Sequence, residues 1–478
     1  MSEPTAPEPS REMIESLRQG LGSVAATLSA ESPDRVESIA RAMLLRHSSV
    51  LRMRFRDDDD MALPLPPPNL AKEAVPWYDL GFFANDYTRP SRTLCYAAGD
   101  YFLQDAGSLL ALAACHADRP PETPRLICDL CAAPGGKASG LLESIGGGFL
   151  LANEPVKSRV APLAFNLART GCDRYTIASQ DPERLASQLA GTFDLVLADV
   201  PCSGQMLLGR GKQKAASLQA SQIEHSCLRA KRILAAAVKL LRPGGQLVLS
   251  TCTFAEQENE AQVRWLIEAG DWEMSPRPID RLASYTSSPL NCTYRLWPDT
   301  DRCAGSFAAS LTCESSSTDI EAPLPRQRRK NKRSREERVP REEFEGWMTA
   351  LPSRTSQQGD CVFGWPDGVP SWVETVTVRG PELAYRTGRT WKPSQELAWR
   401  IQGGSSPKQF LEVDDATAVE YLGGAAIPCE SAGWHVVRWK GRGLGWVKSS
   451  NGTGKNQLPA ACRFQVDVES HETPLNGG

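Results

Sequence analysis

Two cysteines follow strands of a predicted sheet, where a thiol could act as a nucleophile. Residues 246–250 are short and apolar and follow a Pro-Gly-Gly helix stop, which predicts a buried parallel strand ending just before Cys252. Residues 194–200 predict another strand, which ends just before Cys202. Reacting groups and ligands gather at the carboxyl ends of strands in open α/β sheets. We therefore expect both thiols at one sheet edge.

A pair of thiols suits methylation of cytosine at carbon 5. This carbon is a poor nucleophile, but addition of a thiolate to carbon 6 makes an enamine-like ring that can attack an electrophilic methyl group. Asp199, at the end of the strand that precedes Cys202, could stabilise the adduct by a hydrogen bond at ring nitrogen 3. The second cysteine could assist when the carbon 5 proton leaves and the thiol is eliminated.

The segment after the first predicted strand could bind the methyl donor. The loop comprises Cys131, Ala132, Ala133, Pro134, Gly135, Gly136 and Lys137. It fits neither the dinucleotide fingerprint nor the phosphate loop, although its glycines permit close approach and a helix N-terminus follows. Glu154 ends the second strand, where an acid usually binds a ribose diol, and Asp181 follows the third, placed to accept from an adenine amino group. A nucleoside without pyrophosphate, joined to a small zwitterion, describes S-adenosylmethionine.

Alternating strands and helices predict the sheet that would position these groups. The predicted strands are 126–130, 149–153, 175–179, 194–200 and 246–250, and the predicted helices include 102–114, 137–144, 158–170 and 221–241. This order is typical of an α/β, doubly wound, mostly parallel, Rossmann-like sheet. Residues 294–297 and 306–312 would add an antiparallel pair.

A chain of 478 residues is long for one core, so several domains are expected. We predict a tail and helix at 1–30, an accessory domain at 31–98, the catalytic domain at 99–312, a basic disordered linker at 313–344, and a β-rich domain at 345–470. The basic segment fits a solvated linker, a flexible arm that binds phosphates, or both.

Composition limits the function classes. The net charge of −3 gives no global sign of a polyanion partner, so any nucleic-acid surface must be local. The N-terminus lacks the pattern of a signal peptide and no apolar run approaches a membrane span, which predicts a cytoplasmic protein with reduced thiols. Five scattered histidines and an isolated Cys-x-x-C make a metal site unexpected, and we expect a monomer.

These motifs resemble the RNA 5-methylcytosine methyltransferases of the Nop/Sun class. The loop at 131–137 is similar to the cofactor loop of that class, while Asp199 with 201–204 and the segment 250–253 are similar to its two cysteine motifs. The resemblance implies a class I methyltransferase fold, Cys252 as nucleophile and Cys202 as product-release cysteine. It also implies cofactor contacts by Glu154, Asp181 and Asp199, and an active-site role for Lys137. The C-terminal segment is similar to the RNA-binding, PUA-like end of the bacterial RsmF branch.

Three functions remain open at this point. The first is 5-methylcytosine formation in ribosomal RNA, and the second is the same chemistry on transfer RNA or, less well supported, DNA. The third is an RNA-binding assembly factor that keeps the cofactor fold without turnover. Intact Cys202, Cys252 and Asp199 argue against the third.

Overall fold

The structure is a computed structural model that describes residues 8–54, 64–119, 123–211, 213, 215–269, 271–316, 344–400 and 407–466. The strands are β1 (Ser49–Met53), β2 (Ala71–Ala74), β3 (Gly81–Ala84), β4 (Tyr101–Asp105), β5 (Leu126–Asp129), β6 (Phe149–Asn153), β7 (Tyr175–Ala178), β8 (Phe193–Asp199), β9 (Leu241–Thr251), β10 (Trp272–Pro276), β11 (Thr293–Leu296), β12 (Ser306–Ser316), β13 (Arg354–Gln358), β14 (Cys361–Trp365), β15 (Glu382–Thr387), β16 (Thr390–Pro393), β17 (Phe410–Val413), β18 (Ile427–Pro428), β19 (Gly433–Trp439), β20 (Arg442–Ser450) and β21 (Thr453–Asn456).

The helices alternate with these strands through the middle of the chain. They are α1 (Arg11–Leu21), α2 (Ser23–Glu31), α3 (Arg35–Ala42), α4 (Leu94–Ala97), α5 (Leu109–Ala114), α6 (Gly136–Glu143), α7 (Val160–Ala168), α8 (Pro182–Gln188), α9 (Ala220–Leu240), α10 (Glu260–Glu268), α11 (Val373–Val376), α12 (Gln395–Trp399) and α13 (Asp415–Leu422). Short 3-10 segments include Gln205–Arg210 and Glu256–Glu258. Within the described ranges, no helix combines the length and the apolar character needed to cross a bilayer.

The central sheet has the strand order β10-β12-β9-β8-β5-β6-β7, and β11 pairs with β12. Strands β9, β8, β5, β6 and β7 run parallel, whereas β10, β11 and β12 add antiparallel pairs. This arrangement confirms the predicted doubly wound, mostly parallel sheet and its terminal antiparallel strands.

Strand β8 shows how the sheet is buried on both faces. Leu195 and Leu197 belong to one apolar cluster, and Val196 and Ala198 belong to the cluster on the opposite face. Successive side chains of a strand point to opposite faces, so a strand covered on both sides must be apolar throughout. This explains why its sequence is a continuous apolar run.

The predicted helix at 102–114 is wrong in its first half. Residues Tyr101–Asp105 form β4, which pairs antiparallel with β1 in a separate four-stranded sheet of order β2-β3-β1-β4. Asp105 then accepts a hydrogen bond from the Gly107 amide at 2.9 Å, and α5 begins only at Leu109. The pairing with a strand about 50 positions upstream is a non-local contact that local periodicity does not contain.

The C-terminal residues form two sheets. One has the order β13-β14-β15-β16, and the other has the order β17-β19-β20-β21-β18. The predicted boundary at 313 differs from the structure because β12 continues to Ser316. The remainder of the basic segment, residues 317–343, lies outside the described residues.

Candidate active site

The two cysteines meet at the carboxyl ends of β8 and β9. These strands are parallel neighbours in which Asp199 is opposite Ser250, so the residues that follow each strand emerge side by side. The Sγ atoms of Cys202 and Cys252 lie 3.2 Å apart, and the Cys252 amide approaches the Cys202 sulfur at 3.3 Å. Both residues are half-buried. The structure thus places the two predicted thiols together.

The contact between the thiols affects Cys202. Its contact with Cys252, burial, and the charges of Cys252 and Glu258 together raise the pKa of the Cys202 thiol well above the usual value. A thiol with a raised pKa stays protonated and is a weak nucleophile. Cys202 is therefore suited to donate a hydrogen bond rather than to attack.

Lys137 and Asp199 form an ion pair beside the thiols. The Nζ atom of Lys137, in the first turn of α6, lies 2.8 Å from Oδ2 of Asp199, at the end of β8. Burial lowers the pKa of Lys137, but Asp199 and the neighbouring Cys252 more than offset this effect, so the pKa is raised overall. The ammonium therefore stays charged and can hold the Asp199 carboxylate in place.

Asp129 is a buried acid at the end of β5 that the sequence analysis did not select. It is 1% exposed, and neither carboxylate oxygen has a hydrogen-bond partner among the described residues. Burial and the charge of Asp199 raise the pKa of Asp129 to about 7, although Lys137 and the nearby Cys131 amide lower it. Native proteins rarely leave buried polar atoms unpaired, so a partner outside the chain is expected.

The loop between β5 and α6 presents backbone groups at the same edge. Gly135 has φ +112°, and a Cβ atom there would lie 3.0 Å from Asn166. Two loop carbonyls accept hydrogen bonds from nearby side chains. Asn166 Nδ2 donates to Pro134 O at 2.8 Å, and Arg159 Nη2 donates to Ala133 O at 2.6 Å. The loop is thereby fixed next to the N-terminus of α6, which favours a negatively charged ligand group.

Glu154 and Asp181 lie at the ends of the next two strands, in different environments. Glu154 is 2% exposed, accepts from the Val156 amide at 2.8 Å, and pairs with Arg159 at 3.2 Å. Asp181 is 53% exposed in its side chain and caps α8 by accepting from the Glu183 amide at 3.0 Å. Its other oxygen contacts an arginine of α9, Arg232, at 3.2 Å. Both acids therefore already have partners, and their cofactor contacts stay a prediction.

The donor set fits S-adenosylmethionine. An unpaired buried carboxyl at Asp129 can take an ammonium or hydroxyl group, and Glu154 and Asp181 follow along the same edge. The positive φ of Gly135 gives the loop the turn that leads into the N-terminus of α6. Within the described ranges, His, Cys, Asp and Glu side chains form no group that could hold a metal ion.

Other polar groups near the thiols were also not predicted from the sequence. Glu258 and Asn259 contact the residues that flank both cysteines. Gln104 of β4 is near Gly136, and both atoms of its amide are buried without a partner among the described residues. Glu258 and Asn259 lie in the Glu-Asn-Glu run at 258–260, and this polar run shortly after Cys252 is the sequence signal for them.

Two family comparisons match this architecture. Residues 118–312 match the family described as 16S rRNA methyltransferase RsmB/F, and residues 408–464 match the family described as methyltransferase RsmF PUA domain. The first match contains both cysteines and the loop at 131–137. The second contains the sheet formed by β17–β21.

Two similar proteins are both named ribosomal RNA small subunit methyltransferase F. The protein from Aeromonas salmonicida is 27% identical over 427 residues, which is 84% of this chain and 87% of the relative. The protein from Salmonella arizonae is 32% identical over 257 residues, which is 52% of this chain and 53% of the relative.

A solved structure supports the fold. The methyltransferase homolog protein from Pyrococcus horikoshii superposes with a TM-score of 0.50 and 24% identity, covering 64% of this chain and 99% of the other. These matches confirm the predicted resemblance, the enzyme class and the methyl donor. Over residues 118–312 the chain is similar to the RsmB/F family, and over residues 408–464 it is similar to the RsmF PUA domain, which together indicate an RsmF-like, S-adenosylmethionine-dependent ribosomal RNA methyltransferase.

Proposed function

We propose that this enzyme forms 5-methylcytosine in ribosomal RNA through a covalent adduct between Cys252 and carbon 6 of the target cytosine. The observation that supports this proposal best is the 3.2 Å separation between the Cys202 and Cys252 sulfur atoms at the sheet edge. Two thiols at that distance can act on one pyrimidine in successive steps. The relatives named above are ribosomal RNA methyltransferases, which favours this substrate over transfer RNA.

The raised pKa of Cys202 supports the assignment of roles. Cys252 adds to carbon 6 as a thiolate, and the electron pair of the carbon 5–carbon 6 bond becomes available at carbon 5. Cys202 stays protonated beside it. After methyl transfer, the carbon 5 proton passes to water, its bonding electron pair re-forms the carbon 5–carbon 6 double bond, and the carbon 6–sulfur bond breaks while Cys202 donates a hydrogen bond to the departing Cys252 thiolate.

Asp199 and Lys137 support the base during addition. Asp199 faces the edge beside the cysteines and can hydrogen-bond the cytosine ring when carbon 6 is attacked. Lys137 holds that carboxylate at 2.8 Å, which fixes the position of Asp199 before the base arrives. S-adenosylmethionine, when bound by the loop at 131–137 with Asp129, Glu154 and Asp181, supplies the sulfonium methyl group.

A target base inside an RNA helix must be unpaired or flipped to reach this edge. The PUA domain at 408–464 belongs to an RNA-binding class and would contribute to holding the substrate. A monomer in the cytoplasm, without a metal ion, would suffice for these steps. These three features stay predictions.

Cysteine variants test the mechanism. Labelled methyl groups from S-adenosylmethionine are counted in ribosomal RNA from a strain that lacks the enzyme. Cys252→Ala is expected to lower transfer by at least about a thousandfold, because removing a nucleophile removes the covalent route. Cys202→Ala is expected to accumulate a protein–RNA adduct that survives denaturing electrophoresis.

Cys361→Ala is the matched control, since Cys361 is a half-buried cysteine of β14, which belongs to a different sheet from the strands that carry the thiol pair. It should retain wild-type transfer. Wild-type activity in both Cys252→Ala and Cys202→Ala would refute the covalent mechanism. Bisulfite sequencing of the RNA before and after reaction identifies the modified cytosine.

A further inference from the structure

A buried carboxylate joins the two segments that carry the cysteines. Oε1 of Glu258 accepts from the Ser203 amide at 2.8 Å, and Oε2 accepts from Ser203 Oγ at 2.6 Å and from Thr253 Oγ1 at 3.1 Å. Ser203 directly follows Cys202, and Thr253 directly follows Cys252. One side chain therefore contacts both cysteine segments, which are about 50 positions apart in sequence.

The network around Glu258 is closed to solvent. Glu258 is 1% exposed, and Ser203 and Thr253 are similarly buried, with their hydroxyl oxygens 2.8 Å apart. Ser226 of α9 contributes a further hydrogen bond to Glu258. A buried network with every member paired holds one geometry, because any other arrangement leaves a polar group unsatisfied.

The next residue fixes the segment around Cys252. Oδ1 of Asn259 accepts from Thr251 Oγ1 at 2.5 Å, and its Nδ2 donates to Thr253 O at 2.9 Å. Both neighbours of Cys252 are thus tied to the start of α10. Glu258 extends this attachment to the other cysteine through Ser203.

We propose that Glu258 is a positioning residue for methyl transfer, which joins the two cysteine segments and keeps the Cys202 and Cys252 sulfur atoms 3.2 Å apart. This inference rests on the proposed function, in which both sulfurs must reach one cytosine. Glu258 acts through Ser203 and Thr253 and does not itself contact the base. A misplacement of about 1 Å at a reacting group can cost on the order of 100-fold in rate.

Oxidation of the thiol pair measures the positioning without RNA. Diamide converts two thiols that are in contact to a disulfide and takes up their two hydrogens, and peptide mass spectrometry identifies the Cys202–Cys252 product. Glu258→Ala is expected to slow formation of this product by about tenfold or more, because the segments lose the carboxylate that contacts both of them and keep only weaker direct contacts. Glu258→Gln should stay within about threefold of wild type, because its amide oxygen still accepts from the Ser203 amide and its NH2 group can donate to the hydroxyls.

The second measurement of the role of Glu258 is the steady-state rate of methyl transfer. In Glu258→Ala, kcat is expected to fall about 10- to 100-fold while KM for RNA and for S-adenosylmethionine stays within about twofold, since the residue touches neither substrate. Glu258→Gln should recover most of kcat. Glu256→Gln is the matched control, because Glu256 lies in the same 3-10 segment but contacts Ser23 and Arg264 instead.

Wild-type oxidation rates in Glu258→Ala would overturn the proposal. Equal loss of kcat in the Ala and Gln variants with unchanged oxidation would also overturn it, since the effect would then come from charge alone. If Glu258→Ala does not fold, the double variant Ser203→Ala with Thr253→Val removes the two hydroxyl hydrogen bonds to Glu258 and leaves only the one from the Ser203 amide. Because oxidation needs no RNA, it tests the positioning even if Cys202→Ala traps no adduct and the proposed mechanism fails.

Discussion

Two edges of the central sheet differ: one carries the candidate active site, and the other is covered by a C-terminal segment. At the carboxyl ends of β5, β8 and β9, Asp129 and the Ser250 hydroxyl are buried without partners among the described residues. At the lateral edge, β7 is covered by residues 354–393, and several hydrogen bonds join the two segments. Trp365, fully buried, donates its indole N–H to Tyr175 O at 2.9 Å.

The lateral edge continues this pairing along β7. The Ile177 amide donates to Arg379 O, the Val378 amide donates to Ile177 O, both at 2.8 Å, and Thr176 and Thr377 share a hydroxyl contact at 2.5 Å. The comparison teaches that hydrogen bonds join β7 to its cover at the lateral edge, whereas the carboxyl edge keeps a buried acid and a buried hydroxyl that a ligand can pair. Functional sites commonly retain such local costs while the surrounding structure supplies stability.

The largest stability effect is expected at the lateral edge, from Trp365→Ala. Large aromatic truncations in a core typically cost about 3–5 kcal/mol, and this one also leaves the Tyr175 carbonyl without its donor. The free energy of unfolding from urea titration measures the loss. Methyl transfer per folded molecule should stay near wild type, and a selective loss of kcat at full folding would show that the two edges are not independent.

We expect the buried ion pair between Arg295 and Glu260 to contribute to stability, as the contacts at the lateral edge do. Arg295 and Glu260, each 1% exposed in the side chain, pair at 2.6 Å, and Arg295 also donates to Phe254 O. Arg295→Met is expected to cost about 3–5 kcal/mol, because it leaves a buried carboxylate unpaired.

The exposed pair of Arg242 with Asp194 provides the control for that variant. Arg242→Met should change stability by no more than about 1 kcal/mol, as surface pairs usually do. Equal effects in both variants, read from urea titration, would contradict the assigned difference in burial.

The variant Asp129→Asn tests the carboxyl edge by changing how the free energy of unfolding depends on pH. The folded-state pKa of Asp129 is raised to about 7 from 3.8, so the folded protein holds more protons than the unfolded chain between those values. Its contribution to stability is therefore present at low pH and is lost as pH rises toward about 7, at about 1.4 kcal/mol per pH unit.

The Asn variant should lack this part of the pH slope when wild type and variant are compared by urea titration between pH 4 and 8. It should also bind S-adenosylmethionine weakly in calorimetry, since an amide cannot neutralise a cation. Identical slopes would mean that Asp129 is not the buried acid responsible, and unchanged affinity would place the cofactor's cationic group elsewhere.

The smallest effect is expected at Asp181. Asp181→Ala removes the cap of α8 and should cost about 1 kcal/mol. Arg232→Ala removes only the exposed contact and should be near neutral. If Asp181 also binds adenine, Kd for S-adenosylmethionine rises in Asp181→Ala but not in Arg232→Ala, and an equal Kd in both leaves the residue a helix cap only.

The sequence predicted what depends on local pattern. Apolar runs located β5–β9, and the end of each run placed Cys202 and Cys252 at one edge. The order of those strands did not follow from their spacing, although it is what makes β8 and β9 neighbours. The burial of most C-terminal tryptophans was also predictable, and Trp365 and Trp446 are fully enclosed.

Pairings between distant segments were not predictable. The local pattern predicts a helix where β4 lies, because the partner of that strand, β1, is far upstream. The hydrogen bonds from Ser203 to Glu258 span 55 positions, and nothing in either segment indicates the other. Asp181 was read as a cofactor acid from its place after β7, and its capping of α8 shows that the same position has a local structural use.

Because residues 354–393 cover β7, truncating the chain after the central sheet would uncover that strand. Trp372 packs its edge against Phe149 and Phe193 of the catalytic sheet, with ring centroids 5.9 and 5.8 Å apart. A truncated protein that stops at residue 316 would expose these rings together with an open strand edge, which invites self-association. We therefore expect a chain that ends at 316 to self-associate, because the segment at 354–393 covers the edge of β7 in the intact protein.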